Sequence, residues 1–288
     1  TTMTLKEPQL LPAMACVKNA GALPGARCAG VHLEGPFLSY AKRGAQNPEN
    51  LHKPDADMFM RLNEASGGVV RLVTVAPEED GGIEFIRRVS PVCTVSIGHT
   101  EADYDTAIAC IENGAASATH TFNAMKLLHQ HFPAIMGAVL ESDVYCEAIC
   151  DGRHLHPATV RFLLKCKGLD RVVAITDSIM AAGLPDGNYK LGVNDVVVVD
   201  GDAKLAGGGS RAGSTLTTGQ ALKNLVAFTG RPAEDLLPLL TENPADLLRM
   251  GARKGRVKPG WDADLVVLDE DLTVLRTLVG GRTVFERT

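Results

Sequence analysis

Between residues 28 and 177 the chain repeats one unit six times: a short apolar run, a polar or charged residue where the run stops, a loop and a helical stretch. The apolar runs cover residues 28–34, 69–76, 91–97, 115–120, 144–150 and 171–176, each stopped by Gly, Pro, His or an acid. Bounded runs of this length read as buried strands. The intervening stretches carry helix signals. Residues 4–20 form a helix ahead of the first unit, and residues 80–90 form another. Pro54 with Asp55 opens a helix with the proline in its first position. Thr100 with Asp103 resembles a capping box and opens a helix that ends at Gly114. Pro157 opens one that ends at Gly168, while residues 135–140 make a short apolar segment. Strand and helix alternating on this scale predict parallel strands joined by crossover helices.

The places where the runs stop separate the possible architectures. Glu34, His99, His120, Asp151 and Asp177 all lie at or just past the C-terminal end of a strand. A (β/α)8 TIM barrel gathers its chemistry on that face from many strands. A doubly wound sheet concentrates it at one switch point, and the first loop has no G-x-G-x-x-G fingerprint. The expectation is an α/β barrel. Six units are two short of eight, and the chain opens Thr1-Thr2-Met3-Thr4 without an initiator Met, so the first strands are expected to be missing. After Gly187 the texture turns β-rich, with an unbroken run at residues 196–199. A long helix is expected from Ser214 to Phe228, another between Asn243 and Gly251, and a strand pair turning at Gly280-Gly281. Residues 1–187 and 210–250 are therefore assigned to the barrel, and 188–209 with 251–288 to part of a small β-sandwich.

Composition excludes some functions. A net charge of −5 and a pI near 5.9 do not suit a nucleic-acid binder. No apolar run reaches the ~18 residues of a membrane span, and the first residues given show no charged n-region followed by an apolar h-region. The seven cysteines include no C-x-x-C pair. They read as reduced core thiols of a cytoplasmic protein.

A carboxylate at the end of a buried strand, such as Glu34, is costly unless a metal, an Arg or a proton pairs with it. Two His and one carboxylate at neighbouring strand ends are a ligand set used by catalytic zinc, which keeps one position open for water. A single His at a strand end is more often a satisfied structural residue; the set together is what points to a metal. Asp177 fits a general base, or a structural partner of a Lys or Arg. Asn123 and His154 fall on loops of the same face, as substrate contacts or loop hydrogen-bonders. His32, two residues before Glu34, points to the same side and could orient the carboxylate. His129 and His131 read as exposed loop residues.

The motifs HLEGPF (32–37), KRGAQNPEN (42–50), VTVAPE (73–78), SIGHT (96–100), THTFNAM (119–125), DGRHLHP (151–157), ITDSIMAAGLPDG (175–187), AGSTLT (212–217) and KGRVKPGWDADLVVLD (254–269) run the length of the chain. Together they resemble the N-acetylglucosamine-6-phosphate deacetylases of the amidohydrolase superfamily. The resemblance implies a divalent metal, zinc by preference, as one or two ions held by Glu34, His99 and His120. It implies Asp177 as catalytic acid and base, with Gln46 at the acetyl carbonyl. Asn123, Ala124 and His154 would line the substrate site. His131 stands about where the family often has an Arg that contacts the sugar phosphate, and a neutral His is a weaker anchor. The substrate implied is a phosphorylated N-acetyl amino sugar and the assembly a homodimer. Another acetylated amino sugar, or a non-catalytic sugar-binding role, are the alternatives.

Overall fold

The computed structural model describes residues 1–18, 20 and 25–288. A helix, α1 (Glu7–Val17), precedes six strands joined by five helices in chain order. They run β1 (Val31–Glu34), α2 (Ala56–Ser66), β2 (Val70–Val75), α3 (Gly82–Val89), β3 (Thr94–Ile97) and α4 (Tyr104–Glu112). Then follow β4 (Ala115–Ala118), α5 (Ala134–Glu141), β5 (Tyr145–Ile149), α6 (Pro157–Lys167) and β6 (Val172–Ile175). The six strands lie side by side in sequence order, every pair parallel, with β1 and β6 at the edges. This curled parallel sheet with its helices is the barrel architecture expected from the sequence. Thr2 bridges to Leu33 along the outer edge of β1, and Ser178 bridges to Ser214 beyond β6.

Two antiparallel sheets follow. The first is β7 (Gly187–Leu191), β8 (Asn194–Val199) and β9 (Asp202–Leu205), packed around Val196, Val198 and Ala203. After α7 (Thr218–Thr229), α8 (Ala233–Leu236) and α9 (Glu242–Leu247) comes the second: β10 (Leu265–Leu268), β11 (Val274–Val279) and β12 (Arg282–Glu286).

The core lies between the parallel sheet and its helices. Leu33, Val73, Val95, Ala118 and Ala148 come from successive strands. The helices meet them with stripes at helical spacing: Met58, Phe59 and Leu62 on α2, and Phe85, Ile86 and Val89 on α3. Phe85 is central, its ring 4.8 Å from Phe37 and 6.0 Å from Phe59.

Several local expectations need correction. Asp55, not Pro54, begins α2: its carboxylate accepts from the N–H groups of Asp57 and Met58, and Pro54 stands outside. Thr100 does not cap α4. Its hydroxyl donates to Glu78, and Asp103 takes the N-cap role by accepting from Thr106 N–H. The segment at 135–140 is a full helix, and α7 starts at Thr218, capped by Thr217, rather than at Ser214. Three cysteines, Cys16, Cys28 and Cys166, are exposed rather than core residues, though all seven are free thiols. Residue 19, near the end of the helix expected over 4–20, lies outside the described residues.

Truncating Phe85 to Ala should cost about 3–5 kcal/mol, because two aromatic partners cannot collapse into the space left behind. Urea unfolding should show a lower midpoint at unchanged slope. A loss below about 1 kcal/mol would mean that this junction is not tightly packed.

Candidate active site

The ends of the parallel strands open onto a cavity of about 880 Å³. Glu34, His99, His120 and Asp177 all line it. Three of these four residues share an unusual backbone: φ is +49° at His99, +30° at His120 and +47° at Asp177. Non-glycine residues in the left-handed region cost on the order of 1–3 kcal/mol each and persist only where neighbours hold them. Here each carbonyl is held. His99 O accepts from Ser39 N at 3.0 Å, His120 O from Asn123 N at 2.9 Å, and Asp177 O from Ser214 N at 2.8 Å.

Three ligand atoms converge. His99 Nε2 is 3.1 Å and His120 Nε2 is 3.7 Å from Glu34 Oε1, and the two ring nitrogens are 3.0 Å apart. Donors placed about 2.0–2.1 Å from a tetrahedral zinc lie roughly 3.3 Å from one another, which these separations bracket. His99 Nδ1 lies 2.7 Å from the Lys42 carbonyl, so Nδ1 carries the proton and Nε2 presents a lone pair. Burial raises the Glu34 carboxyl, but the neighbouring imidazoles, His120 first and then His99, outweigh it and hold it well below the usual carboxylate range. Burial alone would lower His120, yet the hydrogen bond and charge of Glu34 push it up to about 9. A carboxylate and an imidazole lone pair aimed at one point need a positive charge there. Without an ion, the proton on His120 supplies it. The donor set therefore fits a divalent cation that displaces that proton.

Asp177 is pushed up to about 6, first by burial and then by the charge of Glu34. Gln46 Oε1 accepts from Thr4 N at 2.9 Å, which leaves the amide N–H groups of a cavity-lining residue as donors. Asp151 accepts from the backbone N–H groups of Arg153 and His154, and its Oδ2 lies 2.7 Å from His154 Nδ1. This orients the His154 ring, which also lines the cavity. Asn123 and Ala124 line it too, and Asn123 Nδ2 donates to the carbonyls of His120 and Thr121. His131 does not join them. It is exposed, its ring 5.5 Å from His129, and it is not part of the cavity wall.

His32 faces the cavity beside Glu34 but does not orient it. Its Nε2 meets Thr74 Oγ1 at 2.8 Å, Thr74 meets Thr119 Oγ1 at 2.8 Å, and Thr119 meets Ser96 Oγ at 2.7 Å. Burial, the largest effect, lowers His32 to about 4, so it is neutral at pH 7. Glu147, on β5, is a cavity residue that sequence reasoning missed. It is buried, accepts from His120 N at 3.3 Å, and burial pushes its carboxyl up to about 7. An acid inside the apolar run YCEAIC was the available signal.

Known proteins are similar to this chain over most of its length. The amidohydrolase family model matches residues 15–284. An N-acetylglucosamine-6-phosphate deacetylase of Bacillus subtilis is 37% identical over 92% of this chain and 67% of its own length. An N-acetylgalactosamine-6-phosphate deacetylase of Escherichia coli is 34% identical over 90% and 69%. A mutant N-acetyl-D-glucosamine-6-phosphate deacetylase from Mycobacterium smegmatis, solved in complex with N-acetyl-D-glucosamine-6-phosphate, superposes with a TM-score of 0.92 at 37% identity. That match covers 98% of this chain and 74% of the other. The chain thus spans about two thirds of the length of the curated relatives it matches.

Metal binding at this site should release a proton. With His120 near 9, the imidazole is protonated below that pH and must lose its proton to bind an ion. Apparent zinc affinity should therefore climb about tenfold per pH unit between pH 7 and 9, then level off. Calorimetry in buffers of different ionisation enthalpy measures both affinity and proton release. A flat affinity over that range would place the ion elsewhere.

Proposed function

The chain belongs to the amidohydrolase family, and on that premise we propose that it hydrolyses the acetamide of N-acetylglucosamine 6-phosphate to glucosamine 6-phosphate and acetate. One observation carries the reading: the convergence of Glu34, His99 and His120 in the cavity that Asp177 also lines. These three residues would hold the metal, zinc being the ion suited to two imidazoles and a carboxylate. Such an ion supplies Lewis-acid activation of water and of the amide carbonyl. The chain's own groups do the rest. The Asp177 carboxylate accepts the proton of the attacking water and returns it to the departing amine nitrogen. Its raised affinity for protons suits both halves of that transfer. The free amide N–H of Gln46 donates to the acetyl oxygen as negative charge builds there. Asn123, Ala124 and His154 hold the sugar.

The Escherichia coli relative that deacetylates N-acetylgalactosamine 6-phosphate supports a second reading, the 4-epimer as substrate. Among the described residues no helix is long and apolar enough to cross a membrane. From the resemblance to the deacetylases we propose a cytoplasmic homodimer. We further divide the chain into a barrel, 1–187 with 210–250, and a small β-domain, 188–209 with 251–288.

Acetate release from N-acetylglucosamine 6-phosphate tests the proposal. Chelation should abolish it and zinc restore it. Asp177→Asn should lower turnover by about 10²–10⁴-fold while zinc content stays the same. An Asn variant with normal turnover would remove Asp177 from the mechanism.

A further inference from the structure

A sugar phosphate drawn into a cavity needs a cation to meet it. Among the described residues that line the cavity, Lys42 and Arg211 are the side chains with a permanent positive charge. Lys42 is already matched one to one, its ammonium 2.9 Å from Glu101. Arg211 is not. Its Nε lies 3.1 Å from Asp202 Oδ1, and its Nη2 lies 3.4 Å from Oδ2. The same carboxylate also takes Lys204 Nζ at 2.9 Å. One acid serving two cations leaves this cluster with one unit of surplus positive charge at the cavity wall.

The backbone around Arg211 is tied to the catalytic end of the cavity. Arg211 forms an antiparallel bridge with Lys204, and Ala212 N donates to Ala203 O at 3.1 Å. Two residues on, Gly213 sits so close to Asp177 that an added Cβ would lie 2.7 Å from the Asp177 carbonyl oxygen. Ser214 N donates to that same oxygen. Arg211 is therefore held at a set distance from the proposed acid and base, with its guanidinium on the side of β9.

We propose that Arg211 is the specificity-determining cation of this cavity, leaving Asp202 to Lys204 and binding the phosphate of the sugar with its planar fork. The inference rests on the deacetylase reading above for the identity of the substrate. A guanidinium presents paired N–H donors that match phosphate oxygens, which an ammonium or a neutral imidazole does not. The exchange strands no charge, because Asp202 keeps Lys204. It also places the phosphate contact on the cavity wall, which His131 does not line.

The test compares two probes, N-acetylglucosamine 6-phosphate and N-acetylglucosamine. Binding is measured by calorimetry on the metal-free full chain, and acetate release on the zinc-loaded one. Arg211→Ala should weaken binding of the phosphorylated sugar about ten- to a hundredfold and raise its KM in step. Affinity for the unphosphorylated sugar should move less than twofold, and Arg211→Lys should recover part of the loss. His131→Ala should leave the preference for phosphate in place. Equal binding of both sugars by the unaltered chain would overturn the proposal. So would an Arg211→Ala chain that keeps the preference, or one that loses both sugars equally. A chain that selects the phosphorylated sugar through Arg211 yet releases no acetate would uphold the assignment of Arg211 and sink the deacetylase reading.

Discussion

The buried Glu34 carboxylate is the constraint around which the molecule is arranged. It is only 6% exposed, at the end of a strand whose neighbours are apolar. An isolated charge there would be prohibitive. What makes it tolerable is the delivery of two imidazoles from the ends of β3 and β4, two and three places along the parallel sheet. A parallel sheet brings consecutive strand ends to one side, and crossover helices outside it supply the buried apolar area. The fold thus brings together, in three dimensions, three groups separated by 65 and 21 residues in the chain.

Strand geometry alone does not aim those groups. A side chain at a strand end points above or below the sheet. Turning His99, His120 and Asp177 into the cavity takes a left-handed residue at each of these strand ends. The cost is met by hydrogen bonds to their carbonyls, long-range from Ser39 and Ser214 and within the turn from Asn123. The placement of these side chains therefore depends on loop backbone beyond the strands, and Gly213 is required at its position because any side chain would press on Asp177 O. Asn123 serves on both counts, lining the cavity while bracing the His120 turn.

Much of this was legible in the sequence. Bounded apolar runs gave the six strands, and the His and acid at their ends gave the converging side chains of the candidate metal site, because strand ends are where chain signals and cavity geometry coincide. Other features were hidden for identifiable reasons. Pro54 and Thr100 carry strong local helix-start signals, but Asp55 had the better-placed carboxylate and Glu78 offered Thr100 a longer-range partner. Glu147 looked like part of an apolar run because nothing nearby in sequence marks what it meets across the sheet. Arg211 sits in a glycine-rich loop whose only local meaning is a turn. Its position at the cavity follows from pairing with β9, which no periodicity announces. The exposure of Cys16, Cys28 and Cys166 likewise depends on packing, since cysteine is at home in either setting.

The chain of His32, Thr74, Thr119 and Ser96 bears on how such a protein can change over generations. Three strands and the turn just past β4 contribute one member each to a buried line of hydroxyls and an imidazole. Replacing any one member by an apolar residue leaves a neighbour without its partner, at a cost of about 1–3 kcal/mol, whereas replacing adjoining members together can be nearly neutral. Divergence beneath the active site is therefore expected to proceed in linked steps, each substitution waiting on its neighbour, while the helices outside drift one residue at a time. Lineages would keep or lose this polar line as a block.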